Sequence, residues 1–202
     1  MTNLLWIGTA FLLGSIPFSV WLGQLALKTD IRRYGDSNPG ATNAWRAGGW
    51  WVGIPALILD VSKGAVPVGL ANFVAGISGW ELILIALAPI LGHAFSPFLQ
   101  FRGGKALAVS LGIWIGLLGV EGLLVLAILM TVTLIVINNN DWAAVLGSLS
   151  FGAYLLLMQA DFVALAVWAG NMLILLWKYR HNLQHKPGLC GWLVRRLRGN
   201  NG

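Results

Sequence analysis

Two short glycine-rich segments carry basic residues at a spacing that suits the binding of a phosphate group. The first, residues 30–49, reads DIRRYGDSNPGATNAWRAGG. Glycine lets backbone N–H groups turn toward an anion, and small hydroxyl and amide side chains add donors. A helix that begins near Thr42 or Asn43 would point its free N–H groups at the same anion, and Arg46 follows one turn later. The pattern predicts an anion cradle, while an ordinary polar loop has the same composition. The candidate binding residues here are Asp36, Ser37, Asn38, Gly40, Thr42 and Asn43.

The second segment reads FRGGKA and spans residues 101–106. Gly103 and Gly104 are followed by Lys105 at the predicted start of a helix, which again offers exposed amides and a point charge. The segment lacks the spacing of a nucleotide-binding P-loop and the Ser or Thr after its lysine, so nucleotide hydrolysis is unsupported. A bare GGK is a weak signal, and it gains weight only if both segments lie on the same face.

Three ionisable residues fall inside apolar segments. Asp60 and Lys63 are three residues apart, so they share one face of a helix. Ionisable groups at membrane depth usually pair or line a polar cavity, and a mutual structural ion pair explains these two equally well. His93 is a further supporting candidate, although a lone histidine in a membrane more often bonds a neighbouring helix. The three histidines are scattered, so we expect no metal site.

A polar stretch, KYRHNLQHK at 178–186, follows the last apolar segment. His181 and Asn182 can hydrogen-bond a polar ligand there. A helix C-terminus flanked by cations explains the same stretch without a ligand, because cations there complement the helix dipole.

The composition requires a membrane to hold these segments in place. The chain has 202 residues, of which 57% are hydrophobic and 10% are charged, and its mean hydropathy is +0.76. These values lie outside the range of soluble domains, and the apolar runs can cross a hydrocarbon core of about 30 Å. We therefore predict one all-α integral membrane domain over 1–202, with about seven transmembrane helices. The predicted crossings are 4–27, 50–76, 80–99, 106–119, 122–138, 142–159 and 162–178.

The basic residues predict the orientation. Twelve of the 13 Lys and Arg residues fall in four stretches, 28–46, 102–105, 178–180 and 186–198, that alternating crossings place on one side. The opposite turns carry Glu81, Glu121 and Asp161. Cytoplasmic loops accumulate Lys and Arg, so we expect an outside N-terminus, a cytoplasmic C-terminus and a basic tail from about 186. No basic residue precedes the first apolar run, which is therefore expected to stay as an anchor and not to be removed as a signal peptide.

Taken together, these segments resemble the bacterial Y-type glycerol-3-phosphate acyltransferases, which depend on acyl phosphate. The combination of NPGATN with a same-face GGK is more specific than either piece, and the similarity covers most of the chain. It also includes the polar exit near His181. The matching segments are GSIPF (14–18), DIRRYG (30–35), NPGATN (38–43), LDVSKG (59–64) and GHAFSPFLQFRGGK (92–105).

The resemblance implies transfer of a fatty acyl group from acyl phosphate to the 1-hydroxyl of glycerol 3-phosphate, which gives lysophosphatidate. It implies that Arg46 and Lys105 bind phosphate and that the departing phosphate takes the proton. The resemblance also implies hydrogen-bond donors in the first loop at Gly40, Thr42 and Asn43. Gly103 and Gly104 would form a second anion-binding nest of backbone N–H groups. His181 and Asn182 would orient glycerol phosphate. The setting is a bacterial inner membrane with a cytoplasmic active face, contact with membrane lipids and an enzyme partner that makes acyl phosphate. We expect no cofactor and no nucleic-acid partner.

The chain departs from the family pattern at several positions. Asp36 and Ser37 replace a Ser-Gly pair, and Ala106 replaces the glycine after GGK. Ala143 stands where a serine is usual. Aligning the polar exit on Asn182 puts Tyr179 at the usual histidine position.

The charge of Asp36 bears directly on the predicted site. A carboxylate beside a phosphate site repels substrate unless Arg32, Arg33 or Lys105 neutralises it. Two other functions therefore stay open from the sequence. One is a related membrane protein that binds a phosphorylated lipid or metabolite without turnover. The other is a small-solute transporter, for which only Asp60, Lys63 and His93 supply polar groups near the midplane.

Overall fold

The computed structural model describes residues 2–193, so Arg195, Arg196 and Arg198 of the predicted tail lie outside the described residues. Within that range the chain is helical, with one isolated bridge between Ile137 and Leu189. The helices are α1 (Thr2–Ser15), α2 (Phe18–Leu27), α3 (Ala41–Gly48), α4 (Trp50–Gly69), α5 (Gly79–Ala94), α6 (Leu107–Leu118), α7 (Val120–Val136), α8 (Asn140–Leu157) and α9 (Phe162–Tyr179). Short 3-10 turns cover Ile31–Arg33, Pro97–Leu99 and Asn182–Gln184, and a π-helical turn covers Leu70–Val74.

Each predicted crossing coincides with one helix or with two consecutive helical segments. Four helical stretches are long and apolar enough to span a membrane, namely Leu4–Leu27, Trp50–Val74, Gly79–Leu99 and Phe162–Tyr179. The helices α6 and α7 are apolar but shorter. The prediction of an all-helical integral membrane protein is therefore confirmed, while the number seven and the orientation of the termini stay predictions.

The first predicted crossing is broken near its middle. Helix α1 ends at Ser15, and α2 begins at Phe18 after Pro17. Proline lacks an N–H donor and disfavours helical backbone at the residue before it, so the two helices separate here. The break leaves the carbonyl of Ile16 free to accept a hydrogen bond of 2.9 Å from Lys63 Nζ on α4.

Helices α4 and α6 pack closely because glycines line their contact. A Cβ on Gly112 would meet the carbonyl oxygen of Val61, and one on Gly116 would lie 2.7 Å from the amide nitrogen of Gly69. Small residues allow this approach of two backbones inside a bilayer. The contact fixes the start of α6, and therefore Lys105 two residues before it, relative to α4.

A short amphipathic helix completes the face where the polar loops gather. Helix α3 begins at Ala41, one residue before Thr42 and two before Asn43, the two starts suggested by the sequence, and it packs through Trp45 against Gly53 of α4. A Cβ on Gly53 would lie 2.7 Å from the Trp45 side chain. This contact holds Arg46, the next residue, at the edge of the bundle.

Candidate active site

The two glycine-rich segments meet, although 67 residues separate the atoms that join them. The backbone N–H of Lys105 donates to the side-chain oxygen of Asn38 at 3.0 Å. Arg46 and Asp36 of the first segment line the same cavity as Lys105 of the second segment. The predicted convergence of the two basic residues is therefore present in the geometry.

The first loop is folded around Asn43. Its side-chain amide donates to Asp36 Oδ1 at 3.0 Å and to the carbonyl of Asn38 at 2.9 Å. Its side-chain oxygen accepts from Arg46 Nη1 at 3.2 Å. Gly35, at φ +58°, has the Arg46 guanidinium and Asn43 where a Cβ would project, so a larger residue would not fit. The loop thus orients Arg46 through a buried amide.

The second segment is built differently from the predicted nest. The N–H of Gly104 donates to the carbonyl of His93 at 3.1 Å, and the N–H of Lys105 is already engaged by Asn38. Cβ atoms on Gly103 and Gly104 would collide with the backbone and ring of His93, respectively. The two glycines therefore allow a close approach to α5, and the segment offers a ligand the Lys105 side chain.

Lys105 lies between two carboxylates. Its Nζ is 2.8 Å from Asp36 Oδ2 and 2.6 Å from Asp141 Oδ1, and it lies 4.8 Å from the centroid of the Tyr179 ring. The second oxygen of Asp141 accepts from Asn182 Nδ2 at 2.7 Å. Asp141 therefore joins two of the predicted site residues, Lys105 and Asn182.

Sequence reasoning missed Asp141. It lies in the first turn of α8, behind Asn139, whose side-chain oxygen accepts from the backbone N–H groups of Asp141 and Trp142. An acid in a first turn is expected at any helix N-terminus, where it complements the dipole. The available signal was its position, because it is an acid on the predicted cationic side.

Lys105 is also the residue that neutralises Asp36. Of the three cations considered, Arg32 pairs with Asp30 at 2.7 Å and Arg33 is exposed. Partial burial acts to raise the pKa of Asp36, but the hydrogen bond and charge of Lys105, with smaller contributions from Asn38 and Asn43, outweigh it and lower that pKa below its usual value. Asp36 is therefore ionised at neutral pH.

The cavity between the segments is lined by both polar and apolar side chains. It has a volume of about 410 Å³, and its aliphatic lining includes Leu107, Leu111, Met130 and Leu134. A more polar cavity of about 510 Å³ adjoins it and adds the side chain of Lys186. A third, of about 290 Å³, lies beside Arg46 and is lined by Ala41, Thr42, Trp45, Gly53 and Leu57. Basic side chains and aliphatic side chains therefore line the same group of adjoining cavities.

The supporting polar residues lie deeper. Lys63 Nζ is 2.7 Å from Asp60 Oδ1, both side chains are buried, and Ser19 Oγ donates to Asp60 Oδ2 at 2.6 Å. This arrangement matches the structural ion pair that the sequence allowed. Asp60 and His93 nevertheless line the 410 Å³ cavity, so both can contact its contents.

The remaining predicted residues occupy different environments. His181 is exposed, and neither it nor Asn182 lines any of the three cavities found among the described residues, although Asn182 donates to Asp141. Tyr179 is buried and lines the cavity, and Ala143 is buried with no polar side chain to offer. Lys178, which the sequence analysis treated as a flanking cation, donates to the carbonyls of Ala94 and Gly103 at 2.9 Å each. It therefore ties α9 to the second segment.

Comparisons with known proteins agree with this geometry. Residues 4–186 match a family described as glycerol-3-phosphate acyltransferase. A relative of that name from Maridesulfovibrio salexigens is 34% identical over 188 residues, covering 91% of this chain and 93% of its own. One from Desulfovibrio desulfuricans is 38% identical over 190 residues, covering 91% of this chain and 81% of its own.

Two solved structures have the same fold. Both are crystal structures of PlsY (YgiH), an integral membrane glycerol 3-phosphate acyltransferase, and both are 28% identical to this chain. The glycerol 3-phosphate form has a TM-score of 0.82 and covers 96% of this chain and 98% of its own. The lysophosphatidic acid form has a TM-score of 0.81 and covers 91% of each chain. With the family match spanning nearly its whole length, this chain belongs to the glycerol-3-phosphate acyltransferase family.

Proposed function

We propose that this protein is a membrane acyltransferase that moves a fatty acyl group from acyl phosphate to the 1-hydroxyl of glycerol 3-phosphate, giving lysophosphatidate. The observation that carries the proposal is a single cavity lined both by Arg46 and Lys105 and by aliphatic side chains. Both substrates carry phosphate and one carries a hydrocarbon chain, so the cavity suits them better than it suits a transported small solute. Family membership also favours turnover over binding alone.

The cations are assigned to the phosphate groups. Arg46 can make a bidentate contact, and Lys105 acts as a point charge. Asn43 orients the guanidinium, and Asp141 orients both the ammonium group and Asn182. Asn182 is therefore assigned to positioning Asp141, since neither it nor the exposed His181 lines any of the three cavities.

The reaction needs little covalent chemistry from the protein. The 1-hydroxyl oxygen attacks the acyl carbonyl carbon, a C–O ester bond forms, and the bond from that carbon to the phosphate oxygen breaks. Phosphate leaves with the bonding electron pair and takes the hydroxyl proton, so no protein base is required. Positioning the hydroxyl and stabilising the anionic charge are the tasks left to Arg46 and Lys105.

The acyl chain is assigned to the apolar part of the cavity. Leu107 and Leu111 of α6 and Met130 and Leu134 of α7 line it. Hydrocarbon there excludes water from the mixed anhydride, which limits its hydrolysis. The acyl chain enters this part of the cavity from the surrounding membrane lipids.

We place the reaction at the cytoplasmic face of a bacterial inner membrane. Seven crossings with an outside N-terminus put the loops of Arg46 and Lys105 and the exit after α9 on that face, where Lys and Arg accumulate. An enzyme that makes acyl phosphate is the expected partner, because this reaction consumes its product.

The test is release of inorganic phosphate by the purified chain given acyl phosphate and glycerol 3-phosphate. Arg46→Ala and Lys105→Ala should each lower kcat/KM by about 10²- to 10³-fold, in the range seen when a charge-stabilising donor is lost. Arg33→Ala is the matched control, because it removes a cation from the same loop outside the three cavities. Turnover unchanged in both variants, with folding intact, would remove these roles.

Substrate choice is tested in the same assay. Acyl phosphate is compared with acyl-CoA, and glycerol 3-phosphate with other acceptor alcohols. Turnover with acyl phosphate but not with acyl-CoA supports the proposed donor. A wild-type protein that binds glycerol 3-phosphate but releases no phosphate with any donor would instead be a binding protein.

A further inference from the structure

The carboxylate of Asp36 occupies Lys105, which the proposed function assigns to a phosphate, and two donors of the first glycine-rich segment. Oδ2 lies 2.8 Å from Lys105 Nζ. Oδ1 accepts from Asn43 Nδ2 at 3.0 Å and from the backbone N–H of Asn38 at 3.3 Å. A carboxylate and a phosphate present similar oxygens, so Asp36 fills the cradle much as a bound anion would.

The two carboxylates that pair with Lys105 differ in solvent exposure and in the segment that carries them. The side chain of Asp141 is 21% exposed, belongs to the first turn of α8 and accepts a second bond from Asn182. The side chain of Asp36 is 40% exposed and lies in a loop between Gly35 and Ser37, which both have positive φ. Moving either carboxylate breaks hydrogen bonds, to Asn38 and Asn43 for Asp36 and to Asn182 for Asp141. Water can solvate Asp36 more readily once it leaves, because its side chain is the more exposed of the two.

We propose that Asp36 is a specificity-determining residue that acts as a built-in competitor, leaving the cradle when a phosphate-bearing substrate binds to Lys105. This inference rests on the proposed function and deepens it. With Asp36 in place, the polar cavity is lined by three cations, Arg46, Lys105 and Lys186, and by two carboxylates, Asp36 and Asp141. Withdrawal of Asp36 raises the net formal charge of these groups from +1 to +2, so the site selects substrates anionic enough to displace a carboxylate.

Substitution of Asp36 tests the competition directly. Asp36→Asn keeps the shape and removes the charge, and Asp36→Ser removes the carboxylate altogether. Asp30→Asn is the matched control, because it neutralises an acid six residues earlier that pairs with Arg32 outside the three cavities. The assay uses the full-length protein in lipid nanodiscs. KM is measured for glycerol 3-phosphate at fixed acyl phosphate and for acyl phosphate at fixed glycerol 3-phosphate.

We expect the Asp36 variants to lower KM by about two- to fivefold relative to Asp30→Asn, the range for one partly exposed charge pair. A decrease confined to one substrate identifies whose phosphate lies on Lys105. An unchanged or raised KM for both substrates in both variants would overturn the proposal, because Asp36 would then be neutral or supportive in binding.

Inorganic phosphate provides a reading that does not need turnover. The shift in thermal unfolding midpoint with added phosphate should be larger for Asp36→Asn than for wild type and Asp30→Asn, since ligand that binds the folded state stabilises it. If no protein turns over, the proposed function fails, yet this comparison still decides whether Asp36 competes with anions. Equal shifts in the three proteins would contradict the competition.

Discussion

Ser37 has a backbone conformation that glycine adopts more easily. Its φ is +60° and its side chain is exposed, so it has strain without compensating burial. Ser37→Gly should raise the free energy of unfolding by about 1 kcal/mol, or the unfolding midpoint by about 2–4 °C. Thermal unfolding in detergent measures the change. Ala106 has φ +61° but is buried, so glycine there would lose packing as well as strain.

The control for this substitution lies in a helix. Ala153 is exposed in α8, where glycine costs about 1 kcal/mol relative to alanine. Ala153→Gly should therefore lower the midpoint while Ser37→Gly raises it. A fall in both variants would mean that glycine loosens the Ser37 loop by more than the relieved strain.

The ionisation of Asp36 predicts a specific dependence on pH. Its pKa is lower in the folded protein than the ordinary value of ~3.9, chiefly through Lys105 working against partial burial. The stabilisation is therefore fully present above pH ~4 and is lost as pH falls through the lower, folded-state pKa. The difference in unfolding midpoint between wild type and Asp36→Asn should stay constant from pH 8 to about 5 and shrink below about 4. A change between pH 8 and 6 would assign the titration to another group.

The role of a side chain could be predicted from the sequence where it belongs to a local motif. It could not be predicted where it depends on a contact between distant segments of the chain. Arg46 and Lys105 were identifiable because glycines surround them in sequence. Asp141 was not, because its significance comes from a contact across 36 residues and its local pattern resembles any helix start. Distances of this kind depend on tertiary packing, which periodicity in the sequence does not encode.

The contact between α4 and α6 should be intolerant of added volume. A Cβ on Gly112 would meet the Val61 carbonyl and would lie 2.9 Å from the amide nitrogen of Ala65, and backbone atoms cannot move aside cheaply. Gly112→Ala should lower the free energy of unfolding by about 1–3 kcal/mol. It should also lower kcat/KM, because α6 starts two residues after Lys105. Thermal unfolding and phosphate release measure the two effects.

Gly8 provides the comparison, since its position in α1 has no atom within 4 Å of an added Cβ. Gly8→Ala should leave stability unchanged or raise it by up to about 1 kcal/mol, as alanine favours helix. Equal destabilisation by both substitutions would point to a general intolerance of side chains. Loss confined to Gly112→Ala would locate the effect between α4 and α6.

Hydropathy predicted which segments are helical and left their interruptions unresolved. The break at Pro17 lies inside a continuous apolar run, so length alone suggested one crossing. Helix α3 was predictable from its glycine-rich start, whereas its packing through Trp45 on Gly53 required the neighbouring helix. Helix ends and breaks depend on hydrogen bonds that partner elements supply.

The orientation of the bundle is a prediction about the entire chain. Cys190 is the single cysteine, and alternating crossings place it on the cytoplasmic side. A membrane-impermeant maleimide should therefore label wild type in inverted vesicles and not in intact cells. In a Cys190→Ala background, Ser78→Cys in the exposed turn before α5 should give the reverse result. Labelling of both sites from one side would contradict an odd number of crossings between the N-terminal face and Cys190.

A recognition site for a dianion is hardest to hold together when nothing is bound, because its cations then repel one another. Together with Asp141, Asp36 supplies counter-charge to Lys105 from within the polypeptide, which lowers this repulsion when no substrate is bound. The carboxylate of Asp36 therefore stabilises the protein without substrate and lowers its affinity for substrate. Variants of Asp36 that bind substrate more tightly should have the lower thermal unfolding midpoints when no substrate is bound.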